Sequence, residues 1–258
     1  MVSSAAVLLK PKQEFNKAIE KNKNILIAAG LCDATATAQQ VEDLFKSVSV
    51  KIVDLDTGEY IEDATTVDPA TYDQKKASKD PALSQALGKD VDLASIKRRE
   101  KYSFVYLVEK DGKINQLVLP VRGYGLWSTL WGFLAVEGDL QTVKGLTFYE
   151  HMETPGLGGE VDNPKWKALW PGKQIYGANG KVALQVIRGF VDRSLPDEVK
   201  QHQVDGMAGA TITSRGVSMM IKYWVGDAFA KYIERVRSDQ QKTANTPTQK
   251  KSNEPRGV

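Results

Sequence analysis

The stretch Asp205-Gly206-Met207-Ala208-Gly209-Ala210-Thr211-Ile212-Thr213-Ser214 sets small residues around a threonine and leads into an amphipathic segment. At a helix start, unpaired backbone N–H groups and the helix dipole favour an anion, so a phosphate carried on the Thr211 hydroxyl would be stabilised there. Gly209 and Ala210 leave that hydroxyl open to a bulky group. The same residues also read as an ordinary helix start capped by Thr213 or Ser214, and Asp205 as the head of an Asx turn. A second stretch, Glu153-Thr154-Pro155-Gly156-Leu157-Gly158-Gly159-Glu160, is too rich in Pro and Gly for a strand or helix. It predicts a backbone-exposed loop, suited to a flat heterocycle with polar edges, or simply a turn. Trp127 and Leu126 offer an apolar wall that Leu157 opposes.

These loops need a scaffold. Residues 11–29 carry helical apolar spacing that Gly30 ends, and 36–48 repeat the theme. A strand over 50–55 turns at Asp56-Thr57-Gly58. Residues 62–99 read as a polar surface excursion, and the run Lys97-Arg98-Arg99-Glu100-Lys101 as a solvated face. Strands over 102–108 and 114–121 flank Asp111-Gly112, a hairpin signal. Two more cover 129–136 and 143–149, with Gly138-Asp139 between them. Asn163-Pro164 opens a short helix to Trp170, Val182–Phe190 reads as a last strand, and 215–236 as one long helix. Its buried stripe is Val217, Met220, Ile221, Trp224, Ala228, Phe229, Tyr232 and Val236. The expected class is α+β: an antiparallel sheet with packed helices. The expected organisation is a helical and strand part at 10–100, a core at 101–237 and a disordered tail at 238–258.

Composition excludes several functions. A net charge of +3 is nearly neutral for 258 residues, so no nucleic-acid footprint is expected. One cysteine, Cys32, excludes an internal disulfide, and two histidines are too few for a typical histidine metal centre, so no metal is assigned. His151, beside the Glu153 loop, reads as solvent-facing and structural. No Gly-x-Gly-x-x-Gly fingerprint is present, so direct NADH oxidation is not expected. No segment reaches the roughly 20 apolar residues of a membrane span.

The two loops together resemble the FMN-binding domain family shared by the sodium-translocating NADH:quinone reductase, in its NqrC component, and the Rnf oxidoreductase. Asp205 to Thr211 is similar to the family's Asp-x-x-[Ser/Thr]-Gly-Ala-Thr signature, and Gly123-Tyr124-Gly125-Leu126-Trp127-Ser128 to its Gly-x-Gly-Leu-Trp-Ser loop. Gly159 to Trp166 resembles the quinone-reductase branch. The resemblance implies FMN joined by its phosphate to Thr211 through a flavin transferase that recognises Asp205. It also implies flavin contacts at Trp127, Ser128, Glu153, Thr154, Leu157, Gly158, Gly209, Ala210, Thr213 and Ser214. Ala208 replaces the family's Ser or Thr, while the acceptor oxygen is kept. The implied role is electron relay among the subunits of a bacterial inner-membrane complex. The domain would lie on the periplasmic face, and residues 1–9 read as the last third of a membrane helix. The alternatives are the Rnf counterpart, a stand-alone extracytoplasmic flavoprotein, or a non-redox assembly module, the last supported by Ala208 alone.

Overall fold

The computed structural model describes residues 2–63 and 65–245, with the side chains of 2–11, 14 and 243–245 left aside. The first helix, α1 (Val2–Ala28), ends where Gly30 takes φ +67°: the Gly30 N–H reaches Ile27 O and the Leu31 N–H reaches Leu26 O. Helix α2 (Ala38–Phe45) opens on a capping box formed by Thr37 and Gln40. Strand β1 (Val48–Asp54) follows, then the four-residue α3 (Gln74–Ala77) and a small hairpin of β2 (Ser84–Ala86) and β3 (Arg98–Glu100).

The main sheet has the order β1-β4-β5-β6-β7, antiparallel throughout, with β4 (Tyr102–Lys110), β5 (Lys113–Tyr124), β6 (Thr129–Glu137) and β7 (Val143–Glu150). Asp111 and Gly112 both have positive φ, as a two-residue hairpin turn matched to strand twist requires. Because β1 pairs with β4, one sheet spans the division expected near residue 100. After β7 come a 3-10 turn at Gly158–Asp162, α4 (Pro164–Lys167), β8 (Gln185–Val186), α5 (Asp197–Lys200), β9 (Gln203–Val204), α6 (Thr211–Tyr223), a π turn over Trp224–Ala228 and α7 (Ala230–Asn245). Strand alternation divides the core. Ile25 and Leu26 of α1 pack on Tyr106, Val118 and Phe133, while α6 and α7 cover Leu117, Leu119 and Leu134 on the other face.

Several elements differ from what the sequence predicts. The expected strand 182–190 pairs only at Gln185–Val186, in parallel with β9; beyond it Gly189 leaves the strand with φ +78°. The segment 163–170 is helical only through Lys167. The long C-terminal helix starts four residues earlier, at Thr211, and is interrupted by the π turn, where the Phe229 N–H bonds Trp224 O. The predicted stripe is nevertheless buried in full. Helix α7 continues through residues expected to be disordered, because Gln240 and Arg237 donate to the carbonyls of Gly138 and Leu140; residues 246–258 of that tail lie outside the described residues. The N-terminal run lies in α1 with its side chains outside the description, and among the described residues no helix is long and apolar enough to cross a membrane.

The charged run at 97–101 is not a solvated face. Arg99 is buried, and Glu100 is fully buried with its carboxylate 2.5 Å from the Arg122 guanidinium. Gln74 donates to the other oxygen of Glu100 at 2.7 Å, and Arg122 lies between the rings of Trp131 and Trp224. Removing one partner of a buried pair strands the other charge, so Glu100→Ala is expected to cost about 3–5 kcal/mol in denaturant unfolding. A loss below about 1 kcal/mol, the range of surface pairs, would contradict this account.

Candidate functional site

Thr211 is the first residue of α6 and is exposed. Ala210 stands at the cap position, and no side chain caps the helix. The expected capping by Thr213 or Ser214 is therefore corrected. Both lie inside the first turn and are buried: the Ser214 hydroxyl accepts the Met207 N–H at 3.2 Å, and the Thr213 hydroxyl turns to Glu153. Among the described residues no acceptor meets the N–H groups of Thr211, Ile212 or Thr213. A helix start left this way favours an anion.

Glu153 ties the site together. Its carboxylate is almost wholly buried and accepts N–H bonds from Leu126 (3.1 Å), Trp127 (2.9 Å) and Ser128 (3.2 Å). The Thr213 hydroxyl donates to its other oxygen at 2.6 Å. Glu153 thus holds the 125–128 turn, its own loop and α6 together. This corrects its expected part in direct flavin contact, because its oxygens are already engaged. Burial raises its pKa, but the bonds from Thr213, Trp127, Leu126 and Ser128 outweigh that and hold the carboxyl below the usual range. Gly158 is required beside it: a Cβ there would lie 2.5 Å from Glu153 Oε2 and 2.7 Å from Thr213 Oγ1.

Ser128 accepts the Met152 N–H on its hydroxyl at 2.8 Å and braces the loop rather than facing outward. Thr154 has an exposed side chain, and its carbonyl accepts the N–H groups of Leu157 and Gly159, closing the Pro-Gly turn. Asp205 makes no Asx turn: it accepts the Val191 N–H at 2.8 Å, and its carbonyl accepts the Trp166 indole N–H at 2.9 Å. It anchors the acceptor loop to the distant segment after β8. His151 is mostly buried, not solvent-facing. Its Nδ1 accepts the Glu153 N–H at 3.2 Å, leaving Nε2 to donate to Asp162 at 2.7 Å.

The structure brings Trp127, Leu157, Gly209, Ala210 and Thr211 to one surface. Leu157 abuts Gly209, 2.7 Å from where a Cβ would stand, and Trp127 hangs from Glu153, which is bonded to the first turn of α6. Trp127 is 62% exposed and Met152 78%, with Leu126, Leu157 and Ile212 also open to solvent. A contiguous apolar surface rimmed by polar groups marks a binding face. Ala208 is exposed and plays no part in holding the loop. Beside Thr211 lies a cleft of about 230 Å³ lined by Ser214, Arg188 and Arg215. Arg188, which no sequence motif singles out, has an exposed side chain with no ion pair among the described residues. Its only sequence signal is a basic residue next to Gly189 at the end of an apolar run.

The FMN-binding domain family matches residues 125–226, the segment that holds both loops and α6. The chain is 54% identical over 239 residues to the C component of the Na(+)-translocating NADH-quinone reductase of Pseudomonas aeruginosa, covering 92% of this chain and 89% of the relative. It is 45% identical to the same component from Haemophilus ducreyi, covering 92% and 88%. The chain belongs to this NqrC family. Among solved structures it is similar to NqrC of Shewanella oneidensis, at TM-score 0.76 and 35% identity, covering 86% of this chain and 99% of that one. The counterpart from Parabacteroides distasonis superposes with TM-score 0.64 at 25% identity, covering 87% and 96%. The mixed helix-and-strand fold with its antiparallel sheet is thus that of the NqrC family, and the exposed Thr211 lies within its FMN-binding segment.

Proposed function

We propose that this chain carries FMN as a phosphoester on Thr211 and works as an electron-relay subunit of a sodium-translocating NADH:quinone reductase. The observation that carries this is the uncapped start of α6. It presents an exposed hydroxyl and unpaired N–H groups beside two arginines without ion pairs among the described residues. These residues fit the group: Arg188, Arg215 and the first-turn N–H groups would hold the phosphodiester, and Trp127, Leu126 and Leu157 the ring. When bound, FMN supplies reversible electron transfer at its isoalloxazine ring.

Thr211 supplies the ester oxygen and loses its proton, while a flavin transferase supplies the activated FMN. The tether keeps the effective concentration of flavin around millimolar, so weak apolar contacts suffice and the ring can lie near the surface. An exposed site of this kind suits exchange with a neighbouring redox subunit better than with a diffusing substrate. The branch-specific Gly159–Trp166 stretch and the relatives' names favour the quinone reductase over the Rnf counterpart. In this reading the domain faces the periplasm and is anchored through its N-terminal helix to the inner-membrane complex. The assembly-module alternative rests on Ala208, which the loop does not use for its own bonding.

In the assembled complex, Thr211→Val should leave NADH able to reduce the upstream flavin while quinone reduction stops. Unchanged quinone reduction would overturn the relay role. Changing Arg188 and Arg215 together to Gln should slow attachment several-fold, the effect of losing roughly 1 kcal/mol of exposed charge contact. A time course of covalent flavin formation measures it, and an unchanged rate would remove both arginines from the site.

A further inference from the structure

A larger cleft, of about 630 Å³, opens on the face of the sheet that α1 covers, between Lys17–Lys21, the Tyr72–Lys75 segment and strands β5 and β6. Its size is that of a small-molecule site. Aromatic rings form much of the wall: Phe133 stacks on Tyr149 at 5.2 Å between centroids, and Tyr106 meets Phe133 edge-on at 5.8 Å.

The charged groups are unevenly matched. Every carboxylate on the wall is engaged: Glu20 by Asn24, Asp73 by Lys76, Glu100 by Arg122 and Gln74, and Glu150 by Lys75. The Lys21 ammonium has no hydrogen bond or ion pair among the described residues. It rests on ring faces instead, 4.9 Å from the centroid of Phe104 and 5.9 Å from that of Tyr106. Burial pushes the Lys21 pKa down, and the charge of Asp73 offsets this in part. A ligand anion would supply the missing counter-charge. One free, partly buried ammonium among four carboxylates suits a single negative charge rather than a phosphate dianion. Lys17, the other wall cation without an ion pair among the described residues, is exposed.

We propose that this cleft binds an aromatic monocarboxylate of one or two fused rings, with the carboxylate on Lys21 and the ring against Phe133 and Tyr149. Rings in such a wall gain offset and edge contacts that an aliphatic acid lacks. The site is separate from Thr211, so its occupancy does not depend on flavin attachment.

The test is titration of the full chain with 2-naphthoate, followed by calorimetry and by NMR shifts. Binding with Kd below about 1 mM is expected, with shifts at the Trp131 indole and at Tyr149. Lys21→Gln should weaken it about tenfold or more, the size expected of a hydrogen bond to a charged group. Neutral 2-naphthamide should bind the unaltered protein comparably weakly, an arm that needs no variant to fold. No binding at millimolar naphthoate, equal binding of acid and amide, or shifts centred on Trp127 would each overturn the proposal.

Discussion

Replacing Glu153 by alanine is expected to lower stability by about 3 kcal/mol and to disorder the flavin site at the same time. The carboxylate accepts three backbone N–H groups of the 125–128 turn and the Thr213 hydroxyl in a nearly solvent-free position. Alanine leaves these donors without an acceptor and opens the space that Gly158 is small enough to border. Glu153→Gln keeps the shape but replaces one oxygen by an N–H₂ that faces donors, so a smaller loss of about 1–2 kcal/mol is expected.

Acid separates the two variants. The folded-state pKa of Glu153 is depressed, so its contribution is fully present above the ordinary glutamate value of about 4.3 and is lost as pH falls through the lower folded value. Thermal unfolding followed from neutral pH downward should show the unaltered protein losing stability in that acidic window. Glu153→Gln should lose less there, so the gap between them narrows. Parallel curves for the two proteins would show that the carboxylate charge does not hold the turn.

Thr211→Val should abolish covalent flavin completely, whereas Thr211→Ser should retain it in part. Valine matches threonine in shape and branching but has no oxygen to esterify. The position is exposed and its side chain caps nothing, so stability should stay within about 0.5 kcal/mol. Serine keeps the nucleophilic oxygen with more rotamer freedom, which slows rather than prevents attachment. Flavin fluorescence in a denaturing gel, after co-expression with the transferase, reads this directly. A fluorescent Thr211→Val band would place the attachment elsewhere, and Thr213, buried on Glu153, would be a poor second acceptor.

Structure is legible in the sequence where its causes are local. The Asp111-Gly112 turn, the Gly30 helix end and the stripe from Val217 to Val236 all stand where periodicity and turn residues put them. Thr211 stands out because small residues and a helix start leave a recognisable pattern. What escapes depends on partners distant along the chain. Glu100 is buried because Arg122, on another strand, neutralises it, and nothing in the run Lys97–Lys101 announces that partner. Glu153 reads as a flavin contact because its loop resembles one; its true neighbours, Leu126–Ser128 and Thr213, come from both sides of the chain. Arg188 reaches the acceptor cleft only because β8 and β9 are cut to two residues, which no alternation of apolar residues signals. The π turn at Trp224–Ala228 is equally silent, since it shifts the backbone without breaking the buried stripe.

The most direct test is the intact mass of the denatured protein, expressed with and without a flavin transferase and followed by peptide mapping. A gain of one FMN less one water, only with the transferase and on the peptide containing Thr211, is the predicted result. An unchanged mass under both conditions, or the gain on a peptide lacking Thr211, would contradict it.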